Sequence, residues 1–310
     1  MNNIELLLST YNAGKIEYNK IIKSLHGKSV SSNQFTENIW YNGDNLDLMK
    51  LLLTGDDNFP NLRGKINLIY IDPPYNTNKN FYGKDDGEKV LAYTDKYGGI
   101  EGYLKMIIPR LFLMKDLLAD DGSILVHCDW RVSSYMRLIL DEIFGKENFR
   151  NEIIWGYGGG GAPKNFYPKK HDNIFWYSKS NSWKFIKQYR PYSEKTLQRG
   201  LTKVKGDKYK LNDEGAGLMD YWTDDKVQKI LSPTAYENLK YPTQKPESLL
   251  KRIIKGHTDE GDIVADFFCG SGTTIAVAEK LGRKWVGSDN SELSNKIVNK
   301  RMKKVQMEQI

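Results

Sequence analysis

The run INLIYIDPPYNT, residues 66–77, is a short apolar segment rich in β-branched residues that stops at Asp72-Pro73-Pro74-Tyr75. A run of this length, bounded by polar and proline punctuation, reads as a buried strand of a parallel sheet. Two consecutive prolines lack N–H donors and fix φ, so they cannot continue a ladder. The strand therefore delivers a carboxylate, a rigid turn and an aromatic ring to its C-terminal edge, where open α/β sheets place their ligand crevice. The Asp72 carboxylate can accept a hydrogen bond from an NH2 group, the Pro73 carbonyl offers a second acceptor, and Tyr75 offers a flat face. Two acceptors and a stacking ring suit the exocyclic amine of a nucleobase. The plainer alternative is an X-Pro-Pro turn closing a strand beside a surface tyrosine.

A second informative stretch lies near the other end. In IVADFFCGSGTT, residues 263–274, an apolar strand ends in a Gly-x-Gly turn that opens a helix at about Thr273. Glycines there permit positive φ and close approach of a ligand to the backbone. A following strand, KWVGSD, ends at Asp289, 19 positions after Gly270, a separation at which an acid suits a ribose hydroxyl pair. GSGTTIA has no third glycine, and nothing supplies a pyrophosphate cradle. A nucleoside cofactor without phosphates fits, and S-adenosylmethionine is one, with an electrophilic methyl group that an amine can attack.

Between these stretches the chain alternates strand and helix. Residues 1–36 read as a helical extension, able to pack on the core or on a partner subunit. NIWYNGDNLDLMKLLL reads as a strand to about Tyr41, a turn at Gly43-Asp44 and a helix from Asn45. Asp44 is placed either to contact a ligand in the crevice or to cap the helix. Residues 76–99 read as a long polar loop without structure of its own, with Lys79 and Tyr82 mixing cation and ring as a segment closing over a nucleotide would. EGYLKMIIPRLFLMKDLLADDG then predicts a helix stopped at Gly122, SILVHCDW a strand, and SSYMRLILDEIF a helix stopped at Gly145.

From about residue 151 the alternation weakens. GYGGGG, residues 156–161, reads as a hinge, and the next fifty residues are dense in Lys, Arg, Tyr, Trp and Phe. Residues 151–240 carry 16 Lys+Arg against 10 Asp+Glu, a difference of +6 against a net charge of +7 for the 310-residue chain. Lysines neutralise phosphates and rings stack on bases, so this stretch is the candidate nucleic-acid contact, with Lys164, Lys169, Lys170, Arg190 and Arg199 its candidate residues. The alternative is a solvated module whose aromatics form its own core. The sequence pI of about 9.0 points the same way as the charge. The two cysteines, Cys128 and Cys269, sit in apolar runs outside any metal-spaced cluster. They fit a reducing cytoplasm, with no disulfide framework and no bound metal. No apolar run reaches membrane-span length, and no signal peptide is visible.

Asp72-Pro73-Pro74-Tyr75, then Thr243-Gln244-Lys245-Pro246, then Phe268-Cys269-Gly270-Ser271-Gly272-Thr273-Thr274, in that order, resemble the β-class amino-methyltransferases of restriction–modification systems. The likeness covers about residues 36–300. It implies an α/β, Rossmann-like S-adenosylmethionine-dependent methyltransferase fold: a central, mostly parallel sheet with helices on both faces, circularly permuted, with an inserted target-recognition region. The expected units are the extension 1–36, a catalytic half 37–150, a DNA-binding insert 151–240 and a cofactor-binding half 241–310. The resemblance further implies N6-methylation of adenine in a specific duplex sequence, with the base flipped out. Asp72, Pro73, Pro74 and Tyr75 would be catalytic. Asp44, Asp72, Thr243, Lys245, Asp266, Phe267, Phe268, Gly270, Ser271, Gly272, Thr273, Thr274 and Asp289 would surround the cofactor. N4-methylation of cytosine uses the same amine chemistry, usually with Ser at the Asp72 position, and a non-catalytic DNA-recognition subunit is the competing reading from another class. The expected partners are double-stranded DNA and, as the relatives of this class often dimerise, a second copy of the chain; the enzyme would be solitary or paired with a separate restriction endonuclease.

Overall fold

The structure, a computed structural model, describes residues 2–26, 35–159, 161, 163–200, 211–224, 227 and 236–308. Its elements, in chain order, are α1 (Asn3–Leu25), β1 (Ile39–Asn42), α2 (Asn45–Thr54), β2 (Ile66–Ile71), β3 (Lys79–Asp85), β4 (Glu88–Asp95), α3 (Ile100–Leu117), β5 (Leu118–Cys128), α4 (Ser133–Phe144), β6 (Phe149–Gly156), β7 (His171–Ser178), β8 (Tyr189–Arg190), α5 (Glu194–Gly200), β9 (Ala216–Gly217), β10 (Tyr221–Trp222), α6 (Glu247–His257), β11 (Ile263–Asp266), α7 (Thr273–Lys280), β12 (Lys284–Asp289) and α8 (Glu292–Met307). Eight strands form one sheet in the order β1-β12-β11-β2-β5-β7-β6-β10. The first five are parallel, β7 is antiparallel to both β5 and β6, and β10 is parallel to β6.

The apolar run of β2 is continuous because helices cover both faces of its sheet. Ile69 and Ile71 join the core beneath α1 to α4, while Leu68 and Tyr70 join the core beneath α6 to α8. All four side chains are fully or almost fully buried. From β11 the chain continues outward to β12, whereas from β2 it continues the other way to β5. The order therefore reverses between β11 and β2, the place where open α/β sheets bind ligands. Beyond β12 lies β1, which comes from the other end of the chain, with Ile39 opposite Val286. That exchange is the circular permutation expected from the motif order.

α1 packs on α3. Tyr18 stacks on Phe112 with ring centroids 4.8 Å apart and donates to Asp116 at 2.9 Å. Gly14 lets the helices touch, since a Cβ there would fall 2.4 Å from Ile108 Cγ2. Residues 27–34 of the expected extension lie outside the described residues.

Three boundaries differ from the sequence reading. Residues 79–95 are a β-hairpin, β3 against β4 around Asp86-Gly87, rather than a structureless loop. α3 ends at Leu117, and β5 begins at once, five residues before the expected stop at Gly122. Gly122 instead sits where the β2–β5 register shifts, and a Cβ there would meet the Ile66 carbonyl at 2.8 Å. The expected boundary at 151 falls inside β6, and β6, β7 and β10 complete the central sheet. The part of 151–240 that stands outside that sheet is therefore smaller than expected, and residues 160, 162, 201–210, 225–226 and 228–235 of it lie outside the described residues. Among the described residues no helix is long and apolar enough to cross a membrane.

Candidate active site

A cleft of about 390 Å³ opens where β2, β11 and β12 end. One wall is the turn after β2. Tyr75 donates its hydroxyl to Asp72 Oδ1, and Lys245 Nζ donates to Asp72 Oδ2 while lying 3.5 Å from the Tyr75 hydroxyl. Burial, and then the Asp72 charge, push the Tyr75 hydroxyl well above its ordinary range, so it remains a donor. The turn is braced from β4: Asp95 accepts from Asn76 N, Thr77 N (both 2.8 Å) and Thr77 Oγ1 (2.6 Å). Hydrogen bonds to a carboxylate of this kind are the strong ones.

The opposite wall is the glycine loop between β11 and α7. Asp289 accepts from Gly270 N at 2.8 Å and from Ser291 N at 2.9 Å, which ties the end of β12 to the loop. Gly270 takes φ +52°, and a Cβ there would stand 3.0 Å from the Tyr241 ring. Gly272, at φ +73°, starts α7 and packs toward Val298, so its part is to shape the loop rather than to line the cleft. Asp266 is buried and accepts from Thr274 Oγ1 at 2.5 Å and Phe268 N at 2.9 Å.

Asp44 caps α2, its carboxylate accepting from Leu46 N at 2.8 Å, and also faces the cleft. A third wall comes from the turn before α6, where Thr243 lies at φ +60°, a conformation a β-branched residue rarely adopts. Its hydroxyl shares a 3.2 Å hydrogen bond with that of Tyr93 on β4.

Of the expected cofactor residues, Asp44, Asp72, Thr243, Lys245, Asp266, Phe267, Phe268, Gly270, Ser271, Thr273, Thr274 and Asp289 all line this one cleft, together with Pro73, Pro74 and Tyr75. The acids Asp44, Asp72, Asp95, Asp266 and Asp289 outnumber the cations Lys96, Arg110 and Lys245, a balance that suits a cationic ligand and disfavours phosphates.

A DNA methylase family model matches residues 66–300. The chain belongs to the DNA methylase family. Among its relatives, the type II methyltransferase M.BamHI of Bacillus amyloliquefaciens is 32% identical over 85% of this chain and 56% of its own length. The DNA adenine methyltransferase YhdJ of Escherichia coli (strain K12) is 31% identical over 73% of each chain. This chain thus spans little more than half the length of M.BamHI. The solved structure of the M1.HpyAVI–SAM complex matches with a TM-score of 0.54 at 22% identity, over 85% of this chain and 98% of that one. That likeness shows the fold.

The methylase cleft also contains residues that the sequence did not mark. Arg110 of α3 donates to Asp44 (2.8 Å), Asn45 (2.7 Å) and the Met106 carbonyl (2.8 Å), and Asn45 in turn donates to the Phe267 carbonyl at 2.6 Å. They tie α3 and the start of α2 to the glycine loop but come from distant elements, and only Asp44-Asn45 at the strand–helix junction hinted at them. Behind β2, Tyr70, His127, Asp172 and Tyr157 form a hydrogen-bonded row with spacings of 2.8, 3.2 and 3.0 Å. Burial would push the Asp172 carboxyl up, but the His127 hydrogen bond and charge, with Lys245 and Tyr157, hold it below its ordinary value.

The candidate DNA residues scatter more widely. Lys79 and Tyr82 lie exposed on the hairpin, with Lys89 over the Tyr82 ring. Lys164, Lys169 and Lys170 lie on the β6–β7 connection, at the cleft edge of the sheet, where Lys169 sits over the exposed Trp130 ring at 3.2 Å. Arg190 is elsewhere: Ile186 and Gln188, just before it, bond the Gly256 and Arg252 carbonyls at the end of α6 far from Lys245. The side chain of Arg199 lies outside the described residues.

Burial raises the Asp266 carboxyl to about 7, with the Thr274 hydroxyl and Phe268 N–H pulling the other way and the Asp72 and Asp289 charges adding to the rise. Burial likewise raises Asp289 to about 6, against its backbone donors. An acid whose folded value lies above its unfolded one keeps its proton in the native state after the unfolded chain has lost it. Stability therefore falls as pH rises from about 4 to 7. Asp266→Asn should flatten that slope, by on the order of 3 kcal/mol across the window. Denaturant melts of both proteins at several pH values check it; parallel pH profiles would count against it.

Proposed function

We propose that this chain is a site-specific DNA methyltransferase that moves a methyl group from S-adenosylmethionine to N6 of adenine in duplex DNA. The observation that carries the reading is the meeting, in one cleft, of the Asp72-Pro73-Pro74-Tyr75 acceptor turn and the Asp289–Gly270 nucleoside wall, which are some two hundred residues apart. The cofactor supplies a methyl group on a cationic sulfur. Asp289 is placed to accept from ribose hydroxyls, and the acid-rich lining suits the positive charge. The names of YhdJ, an adenine methyltransferase, and of the M1.HpyAVI–SAM complex support the base and the cofactor.

Adenine N6 is a poor nucleophile because its lone pair is delocalised into the ring. Asp72 and the Pro73 carbonyl accept its two hydrogens and draw the nitrogen toward tetrahedral geometry, so positioning and oriented acceptors supply most of the rate. The base reaches them by flipping out of the duplex, at about a few kcal/mol, onto the Tyr75 face. Exposed rings and cations beside the cleft, Trp130, Lys169 and the hairpin's Lys79 and Tyr82, hold the duplex. In a restriction–modification setting a separate endonuclease cuts the same sequence when it is unmethylated.

Tritium transfer from labelled S-adenosylmethionine to mixed-sequence DNA, followed by nucleoside analysis, tests the proposal. Label is expected in N6-methyladenine. Label in N4-methylcytosine would overturn the base, and neither transfer nor cofactor binding would overturn the enzyme. Stacking on Tyr75 is worth about 1–3 kcal/mol, so Tyr75→Ala should lose about 10–100-fold in kcat/KM. Tyr75→Phe, which removes only the donor to Asp72, should stay within about tenfold of the native enzyme. Equal losses in both would assign the effect to the hydroxyl instead.

A further inference from the structure

Asp72 has no idle oxygen in this structure. Tyr75 holds Oδ1 and Lys245 holds Oδ2, and both Lys245 and Asp72 are largely withdrawn from solvent, with side-chain exposures of 11% and 18%. The carboxylate that should receive an amine is thus already occupied by an ammonium group of the same protein.

Lys245 is anchored through its backbone, and its side chain alone reaches across to Asp72. Thr273 Oγ1 donates to the Lys245 carbonyl at 3.2 Å, and Arg301 secures that contact by donating to Thr273 Oγ1 (3.0 Å) and the Ser271 carbonyl (3.1 Å). Arg301 also binds Glu247, two residues after the lysine, at 2.7 Å. The main chain of Lys245 is therefore fixed to the glycine loop, while four rotatable side-chain bonds carry its ammonium group across to the other wall. The second cation withdrawn into the cleft, Arg110, is already committed to Asp44, Asn45 and a carbonyl. Lys96 stands exposed at the rim.

We propose that Lys245 is exchanged between two anions: it pairs with Asp72 at rest, and the amino-acid carboxylate of the bound cofactor draws it away, leaving Asp72 open to the target amine. This rests on the function proposed above. A partly buried ammonium must keep an anionic partner, so exchange is far cheaper than loss of the pair. The coupling is reciprocal, so whatever frees Lys245 from Asp72 tightens cofactor binding, and the bound cofactor favours capture of the base. Lys245 is in this sense a positioning residue. It orders the two substrates without touching the reacting atoms.

Calorimetric titration with two nucleosides, without DNA, tests the exchange. S-Adenosylhomocysteine carries the carboxylate and an uncharged sulfur; 5′-methylthioadenosine lacks the amino-acid end. Asp72→Asn releases Lys245 and should bind S-adenosylhomocysteine about 5–20-fold more tightly than the native chain, with 5′-methylthioadenosine unchanged within about twofold. Lys245→Met should bind 5′-methylthioadenosine normally, which also reports that it is folded, and should lose about tenfold of the native preference for S-adenosylhomocysteine. Unchanged or weaker binding of S-adenosylhomocysteine by Asp72→Asn would overturn the exchange and leave the methyltransferase reading standing. A native chain that binds neither nucleoside would overturn both.

Discussion

Asp72→Ala is expected to lower methyl transfer at least about a thousandfold, the scale seen when an oriented polar group at a reacting centre is removed. The protein should still fold. Asp72 lies just past the end of β2, outside the sheet ladder, and its recorded partners are two side chains, Tyr75 and Lys245. Its loss strands the Lys245 ammonium, a destabilisation of about 1–3 kcal/mol, which circular dichroism and melting would register without loss of structure. Single-turnover transfer on saturating DNA is the measurement, since it separates chemistry from binding. Retention of a tenth or more of the native rate would remove Asp72 from the chemistry.

Asp289→Ala is expected to weaken S-adenosylhomocysteine binding about 100-fold, the sum of a charged hydrogen bond to ligand and a loosened loop. The second part is peculiar to this fold. The same carboxylate that faces the cleft accepts from Gly270 N and Ser291 N, so it also shapes the loop. Asp289→Asn keeps an acceptor for one of those donors and should fall between the native chain and Asp289→Ala. Native-like binding by Asp289→Ala, measured calorimetrically, would reject the ribose assignment.

The Asp72–Tyr75 turn and the glycine loop were legible because their residues are contiguous. A strand, a stop and the residues at the stop follow one another at Ile66–Tyr75 and again at Ile263–Thr274. What stayed hidden was set by distant partners. The polar segment after Tyr75 folds into β3 and β4 because Gly83 fits against Leu293 and the Lys240 carbonyl, and because Asp95 reaches back to Asn76 and Thr77. The Gly83 contacts reach residues far along the chain, and the Asp95 bonds close the hairpin onto its own start. LADDG looked like the tail of a helix, yet Leu118 already pairs with Ile66 across a register shift. β6 and β7 were read into the insert because the glycine-rich, cationic connection between them dominates the local composition. β7 pairs antiparallel with both β5 and β6, an arrangement that carries no strand–helix alternation to reveal it. Arg110 and Asn45 lack a motif altogether; only the fold brings them to Phe267 and Asp44.

The placement of β11 also bears on how the chain is made. Its neighbour β2 pairs Leu68 with Val264 and Ile69 with Ala265, partners 196 positions apart. At about 5–20 residues per second of synthesis, β2 waits roughly 10–40 s on the ribosome before β11 arrives. During that interval the most apolar strand of the sheet has an open edge, the kind of surface through which nascent chains stick to one another. α2, α3 and β5 are all complete by then and can cover one face and the other edge of β2, while the face of Leu68 and Tyr70 still waits for α7 and α8. The last edge stays open until the glycine loop itself is translated, so the sheet closes and the cleft forms in a single late event.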